Sequence, residues 1–137
     1  MEQTLSESEY YQMCFLPKEF TLKLAWKDKF LSTEVFKNTV KVFADSAKKL
    51  SPQSLFVDAR YNKYTMSPEV QEWHDNTIIP IYRQIGVTGM AFIIPQSIFS
   101  ELTHKKLFEK QNPAESFPIQ FFKEEKEAIA WLEEHRK

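Results

Sequence analysis

The stretch from Leu55 to Pro95, LFVDARYNKYTMSPEVQEWHDNTIIPIYRQIGVTGMAFIIP, restricts this chain to few architectures. LFVDAR is apolar until its end, which suits a short strand. Ser67, Pro68 and Glu69 then combine a side-chain cap, a proline at the first helical position and an acid beside the positive end of the helix dipole. Val70, Trp73, Thr77, Ile78, Ile81 and Ile85 continue one face of that helix. Pro80 is expected to kink or divide it, because proline removes a backbone donor and crowds the preceding turn, and Gly86 is placed to end it. MAFIIP lacks polar alternation, as does a strand covered on both faces of a parallel sheet. The polar residues gather where the first strand ends and the helix begins, the edge at which open α/β sheets bind ligands.

The flanks extend the same pattern. Residues Met1 to Ser8 are polar and expected to fray. The apolar cluster from Glu9 to Phe15 and the segment Thr21 to Trp26 read as two strands joined by the short turn LPKEF, so the chain opens with a hairpin. Ser32 or Thr33 caps a helix in which Phe36, Val40, Phe43, Ala47 and Leu50 recur at helical spacing, with Ser51 and Pro52 stopping it. Ser97 is expected to cap a short helix containing Ile98, Phe99 and Leu102, and KKLFEKQNPAESF reads as a polar loop. IQFF supplies a last strand, and a helix follows from about Glu124 to Arg136, with acids at its start and His135, Arg136 and Lys137 at its end. Residues 9–137 therefore read as one α/β domain: a hairpin, then alternating helices and mostly parallel strands in a sheet of four or five strands.

Composition narrows the function classes. At 137 residues the chain is long enough to bury a core without metal or disulfide support, and twelve Phe make that core bulky. A balance of 18 basic against 19 acidic side chains gives no global field for nucleic acid or an anionic membrane. Lys37, Lys41, Lys48 and Lys49 are diluted by Glu34 and Asp45 and read as a solvated helix face. A single cysteine excludes an internal disulfide, and MEQTLSESEY lacks the basic and apolar regions of a signal peptide, so a cytoplasmic location is expected. No apolar run approaches the roughly 20 residues of a membrane-spanning helix. Two glycines provide no phosphate-cradling loop, and the histidines lack ligand spacing, so neither a cofactor nor a metal is expected.

In element order the chain resembles a small STAS-type domain, the fold of bacterial anti-sigma-factor antagonists and of the cytoplasmic tails of sulfate transporters. It is more closely similar to the stand-alone bacterial proteins grouped as antagonist-like (SpoIIAA-like). The resemblance rests on the strand ending at Trp26, the cap STEVF, VDAR, MSPEVQEW, the late Pro80, AFIIP and the final EEKEAIAWL, and it covers the chain from about Leu22 onward. It implies a STAS-like sheet and a partner-binding role. In anti-sigma-factor antagonists the corresponding loop carries a phosphorylated serine in an Asp-Ser-Gly context. Ser67 occupies that place, but it stands between Met66 and Pro68.

The first functional expectation is a non-enzymatic interaction or regulatory module that binds a protein partner or a second copy of itself through the loop Asp58 to Ser67 and the head of the second helix. Asp58, Arg60, Tyr64, Met66, Ser67 and Trp73 are its candidate residues, with Ser67 as a candidate phosphosite. Three of them have a competing structural role: Asp58 and Arg60 in loop closure and surface pairing, and Ser67 in capping. The alternative is a small-molecule or lipid carrier or sensor with an apolar pocket beneath Tyr64, Trp73, Ile78 and Phe92. An enzyme would require Asp58, His74 and Tyr82 or Arg83 to converge, and adjacent residues such as His74 and Asp75 do not form a dyad by spacing alone. Cys14, between Met13 and Phe15, reads as a buried strand residue.

Overall fold

The computed structural model describes residues 2–62, 64, 66–95 and 117–135. The helix expected after Ser97, His104 and all of the KKLFEKQNPAESF loop except Phe117 lie outside them. Six strands form one mixed sheet in chain order: β1 (Gln3–Glu7), β2 (Tyr11–Leu16), β3 (Thr21–Trp26), β4 (Ser54–Asp58), β5 (Gly89–Ile93) and β6 (Ile119–Phe122). The first three are antiparallel to one another, and β3 to β6 run parallel. The sheet therefore has six strands instead of four or five. Gln3–Glu7 is not a frayed end but an edge strand, pairing Gln3 with Phe15 and Thr4 with Cys14. Its polar side chains carry no periodic apolar signal, yet backbone pairing suffices at an edge, where polar side chains also discourage further strand addition.

Helix α1 (Thr33–Leu50) crosses from β3 to β4, with the Ser32 hydroxyl accepting the Val35 N–H at 3.1 Å. From β4 the chain passes through α2 (Pro68–Trp73), a wide π turn (His74–Ile78) and α3 (Ile79–Ile85) before entering β5. Pro80 explains that turn. Proline cannot donate to the carbonyl four residues back, so the ladder shifts register ahead of it, and the Ile79 N–H reaches the His74 carbonyl. The helical path is not interrupted, because the π turn bridges α2 and α3. Gly86, at φ +90°, takes the left-handed conformation that ends α3. The last helix, α4 (Glu125–His135), follows β6.

Strand alternation distributes the core between two faces. Leu22, Leu24, Trp26, Leu55, Val57 and Met90 point toward α1 and α3, where Phe36, Val40, Phe43 and Tyr82 meet them. Phe56, Ala91 and Ile93 point the other way, onto Ala128 and Leu132 of α4. Every residue of β4 is buried, as the sequence of a central parallel strand implies. Among the described residues, no helix is long and apolar enough to cross a membrane.

Candidate functional site

The loop after β4 binds itself together before it can bind anything else. Asp58 has the same strand parity as Phe56, so its carboxylate lies on the α4 side of the sheet and is 6% exposed. It accepts the Arg60 Nε–H at 3.0 Å, the Nη2–H at 2.6 Å and the Arg60 backbone N–H at 3.2 Å. That bidentate pair holds the guanidinium above its ordinary pKa, with the Asp58 hydrogen bond as the main cause. Asn62 closes the next turn by accepting the Tyr64 N–H at 2.7 Å. Ser67 caps α2 through a 3.2 Å bond from the Val70 N–H, and the Lys37 ammonium sits 4.8 Å above the Trp73 ring.

The six candidate residues do not share one surface. Asp58 borders a shallow hollow of about 360 Å³ with Gln12, Ala25 and Tyr61. Arg60, Tyr64 and Met66 instead rim a much larger cavity of about 930 Å³ between the sheet and the helices on its other face, whereas Ser67 and Trp73 line neither. Strand order follows chain order without reversal, so the sheet has no switch-point crevice of the doubly wound kind. The opening lies instead under α1 and the α2–α3 segment, at the carboxyl ends of β3, β4 and β5.

Leu24, Val57, Met90 and Phe92 form the cavity floor, and Phe36, Val40 and Phe43 of α1 form one wall. Stiff rings brace this space. Trp26 stacks on Phe36 at 5.6 Å between centroids, and Phe36 stacks on Tyr64 at 4.5 Å. The Tyr64 hydroxyl is tied to Thr33 at 2.8 Å, which anchors the outer ring to the start of α1. Tyr82 stands edge-on to Phe43 at 6.2 Å and meets Phe117 on its other side. Rings locked against one another cannot fold inward to fill a void without losing these contacts. Of the pocket residues expected from sequence, Tyr64 and Phe92 line the cavity, while Trp73 and Ile78 do not.

Three polar side chains of the α2–α3 segment, Gln71, His74 and Tyr82, line this apolar space. His74 lies in the π turn, where burial pushes its imidazole below the usual pKa and outweighs the Asp75 carboxylate. The Nδ1 to Asp75 Oδ1 separation is 3.9 Å, beyond hydrogen-bond range, so the two form no hydrogen-bonded dyad. Asp75 instead accepts the Gln71 Nε2–H at 3.0 Å. Tyr82 is 1% exposed, burial holds its phenol far above the ordinary value, and no described residue hydrogen-bonds to its hydroxyl. His74 and Tyr82 thus remain neutral at neutral pH. Asp58 lies across the sheet from both, so these three side chains do not converge. The helix face expected from the sequence ran through Thr77, Ile81 and Ile85 and missed Tyr82; beyond the π turn Tyr82 is the fully buried residue, while Thr77 is exposed and Ile81 and Ile85 are half-buried.

The opposite face holds a charged cluster. Lys23, from the centre of β3, bonds Glu2 at 3.0 Å, lies 3.6 Å from Glu125 and sits 5.5 Å from the Phe56 ring centre. Burial opposes its charge, but the Glu2 hydrogen bond and the Glu125, Glu2 and Asp58 carboxylates outweigh that penalty and raise its pKa. The cluster pins β1 and the first turn of α4 to the middle of the sheet. Cys14 is buried beside it, and burial pushes its thiol above the usual value. No protein-family model, curated protein or solved structure matches the chain.

Proposed function

We propose that this chain binds a small apolar molecule in the cavity between its sheet and the α1 and α2–α3 helices, acting as a carrier or sensor. The observation that carries the reading is the cavity itself: about 930 Å³, lined mainly by aliphatic and aromatic side chains and opening at the carboxyl edge of the parallel strands. Small-molecule sites span roughly 300–1,000 Å³ and pair apolar walls with a few placed polar groups; in this cavity Gln71, His74 and Tyr82 supply them from the helices, with Asp28, Arg60 and Asn62 also in the lining. The STAS-like resemblance is compatible with this reading, since that fold is related to lipid-transfer domains, but the cavity supports it without the resemblance. Native mass spectrometry of freshly purified protein, before and after denaturation, tests it. A discrete added mass that disappears on denaturation is the expected result. A chain that carries no added mass and takes up no apolar probe would refute it.

A second reading retains the partner-binding module, as a cytoplasmic regulator meeting a protein or a second copy through the loop from Asp58 to Ser67. Tyr61 favours it, because a tyrosine 55% exposed at a loop tip resembles an interface anchor. Against it, Asp58, Arg60, Asn62 and Ser67 all have bonds within the loop or the adjoining helix. Because Tyr61 also lines the cavity, the readings are separated at Ser67, which lines neither hollow: affinity capture with Ser67→Glu should lose the partner in the second reading, and native mass spectrometry should show unchanged ligand mass in the first.

A further inference from the structure

The cavity walls specify more than apolarity. Trp26, Phe36 and Tyr64 form a run of three rings tilted by 13° and 23° between neighbours, and Phe43 and Tyr82 present rings at 78° to each other. Flat faces and ring edges set at fixed angles complement a rigid planar molecule through offset stacking and edge contacts. A flexible acyl chain would fill the same volume but would lose rotational freedom at every bond.

The polar groups then limit the charge of the occupant. Burying an ion without a counter-charge is strongly unfavourable, so an anionic ligand needs a cation in the site. Arg60, at the mouth, already gives its Nε–H and Nη2–H to Asp58. His74 is half-buried and neutral, and the deep polar group is the Tyr82 hydroxyl, which no described residue bonds. Among the described residues the sealed side-chain polar atom without a partner is Ser54 Oγ, so the Tyr82 hydroxyl is not sealed off, and an oxygen on the ligand would take the place of water at it.

Resting on the ligand-binding reading above, we propose that the cavity, whose lining includes the Asp28 carboxylate, selects a flat aromatic molecule that carries no negative charge and bears a carbonyl or hydroxyl oxygen, and that this oxygen accepts a hydrogen bond from Tyr82.

Isothermal titration calorimetry with four probes tests the proposal: 2-naphthol, naphthalene, 2-naphthoate and decanol. The expected order places 2-naphthol first, roughly two- to twelvefold tighter than naphthalene, the range one neutral hydrogen bond supplies. Tyr82→Phe should erase that difference while leaving naphthalene unchanged, a readout that a merely destabilised cavity would not give. 2-Naphthoate should bind at least about tenfold more weakly than 2-naphthol, because Arg60 in the lining is already paired with Asp58 and Asp28 would repel an anion. If decanol or 2-naphthoate binds as tightly as 2-naphthol, or if Tyr82→Phe keeps the preference for 2-naphthol over naphthalene, the proposal is wrong while the cavity remains a binding site. If none of the four binds, both the proposal and the ligand-binding reading fall.

Discussion

Removing either partner of the Asp58–Arg60 pair should have unequal effects, because water reaches the two side chains unequally. The Asp58 side chain is 9% exposed and that of Arg60 is 39% exposed. Arg60→Ala would strand a buried carboxylate with one backbone N–H and the more distant Lys23. Breaking a fully buried pair costs about 3–5 kcal/mol, and losing an exposed one costs about 0–1 kcal/mol. A carboxylate this buried, with residual partners, places Arg60→Ala at about 2–3 kcal/mol. Asp58→Asn keeps an acceptor for the Arg60 backbone and leaves a guanidinium that can hydrate, so about 1 kcal/mol is expected. Urea unfolding followed by tryptophan fluorescence measures both. With a slope of about 2 kcal/mol per molar, the midpoint should fall by about 1–1.5 M for Arg60→Ala and by about 0.5 M for Asp58→Asn. An equal or larger loss for Asp58→Asn would refute the desolvation argument and show that the aspartate works mainly through loop geometry. Arg60 variants therefore need a fold control before any loss of binding is read as function.

Three further outcomes follow from single contacts. Ser67→Ala should lower stability by about 1 kcal/mol through loss of the α2 cap, whereas a change below about 0.3 kcal/mol in urea unfolding would mean that Pro68 alone sets the helix start. The His74 pKa is lower in the folded chain than its unfolded value near 6.5, so the unfolded state takes up more protons between the two. Stability should accordingly decline as pH falls from about 7 through the folded pKa, His74→Asn should flatten that decline relative to wild type, and superimposable profiles would contradict the burial of the imidazole. Cys14 should react with a disulfide reagent roughly tenfold or more slowly in the native protein than in denaturant, since access requires β1 to open; equal rates would place the thiol at the surface.

Local chemistry was readable in the chain. Ser32 and Ser67 cap because a hydroxyl beside free backbone donors needs no distant partner, and Gly86 ends its helix because the left-handed turn favours a residue without a β-carbon. The hairpin from Tyr11 to Trp26, the buried strand at Met90 and the final helix were legible from periodicity. β1 was not, because QTLSE has no apolar pattern and is a strand only through its pairing with β2. The π turn was half legible: Pro80 announced a disturbance, but whether the helix would break, kink or widen depended on what packed against it.

The candidate site divides along the same line. Sequence placed Asp58, Arg60, Tyr64, Met66, Ser67 and Trp73 in one neighbourhood, and they do adjoin in the chain. The parity of β4, fixed by pairing with β3 and β5, turned Asp58 to the face opposite Tyr64 and Met66. Phe36 and Phe43 occupied helical positions that would have been the same for a filled core, and Tyr82 lay off the face that the spacing indicated. By itself, then, the sequence determined the caps, the stops, most strands and the two-sided burial of the sheet, because those depend on neighbours within a few residues. Only the tertiary structure decided that the aromatic side chains of α1, α3 and the sheet stop short of one another and leave a cavity, since an unfilled space is a property of how distant elements meet and belongs to no residue's own pattern.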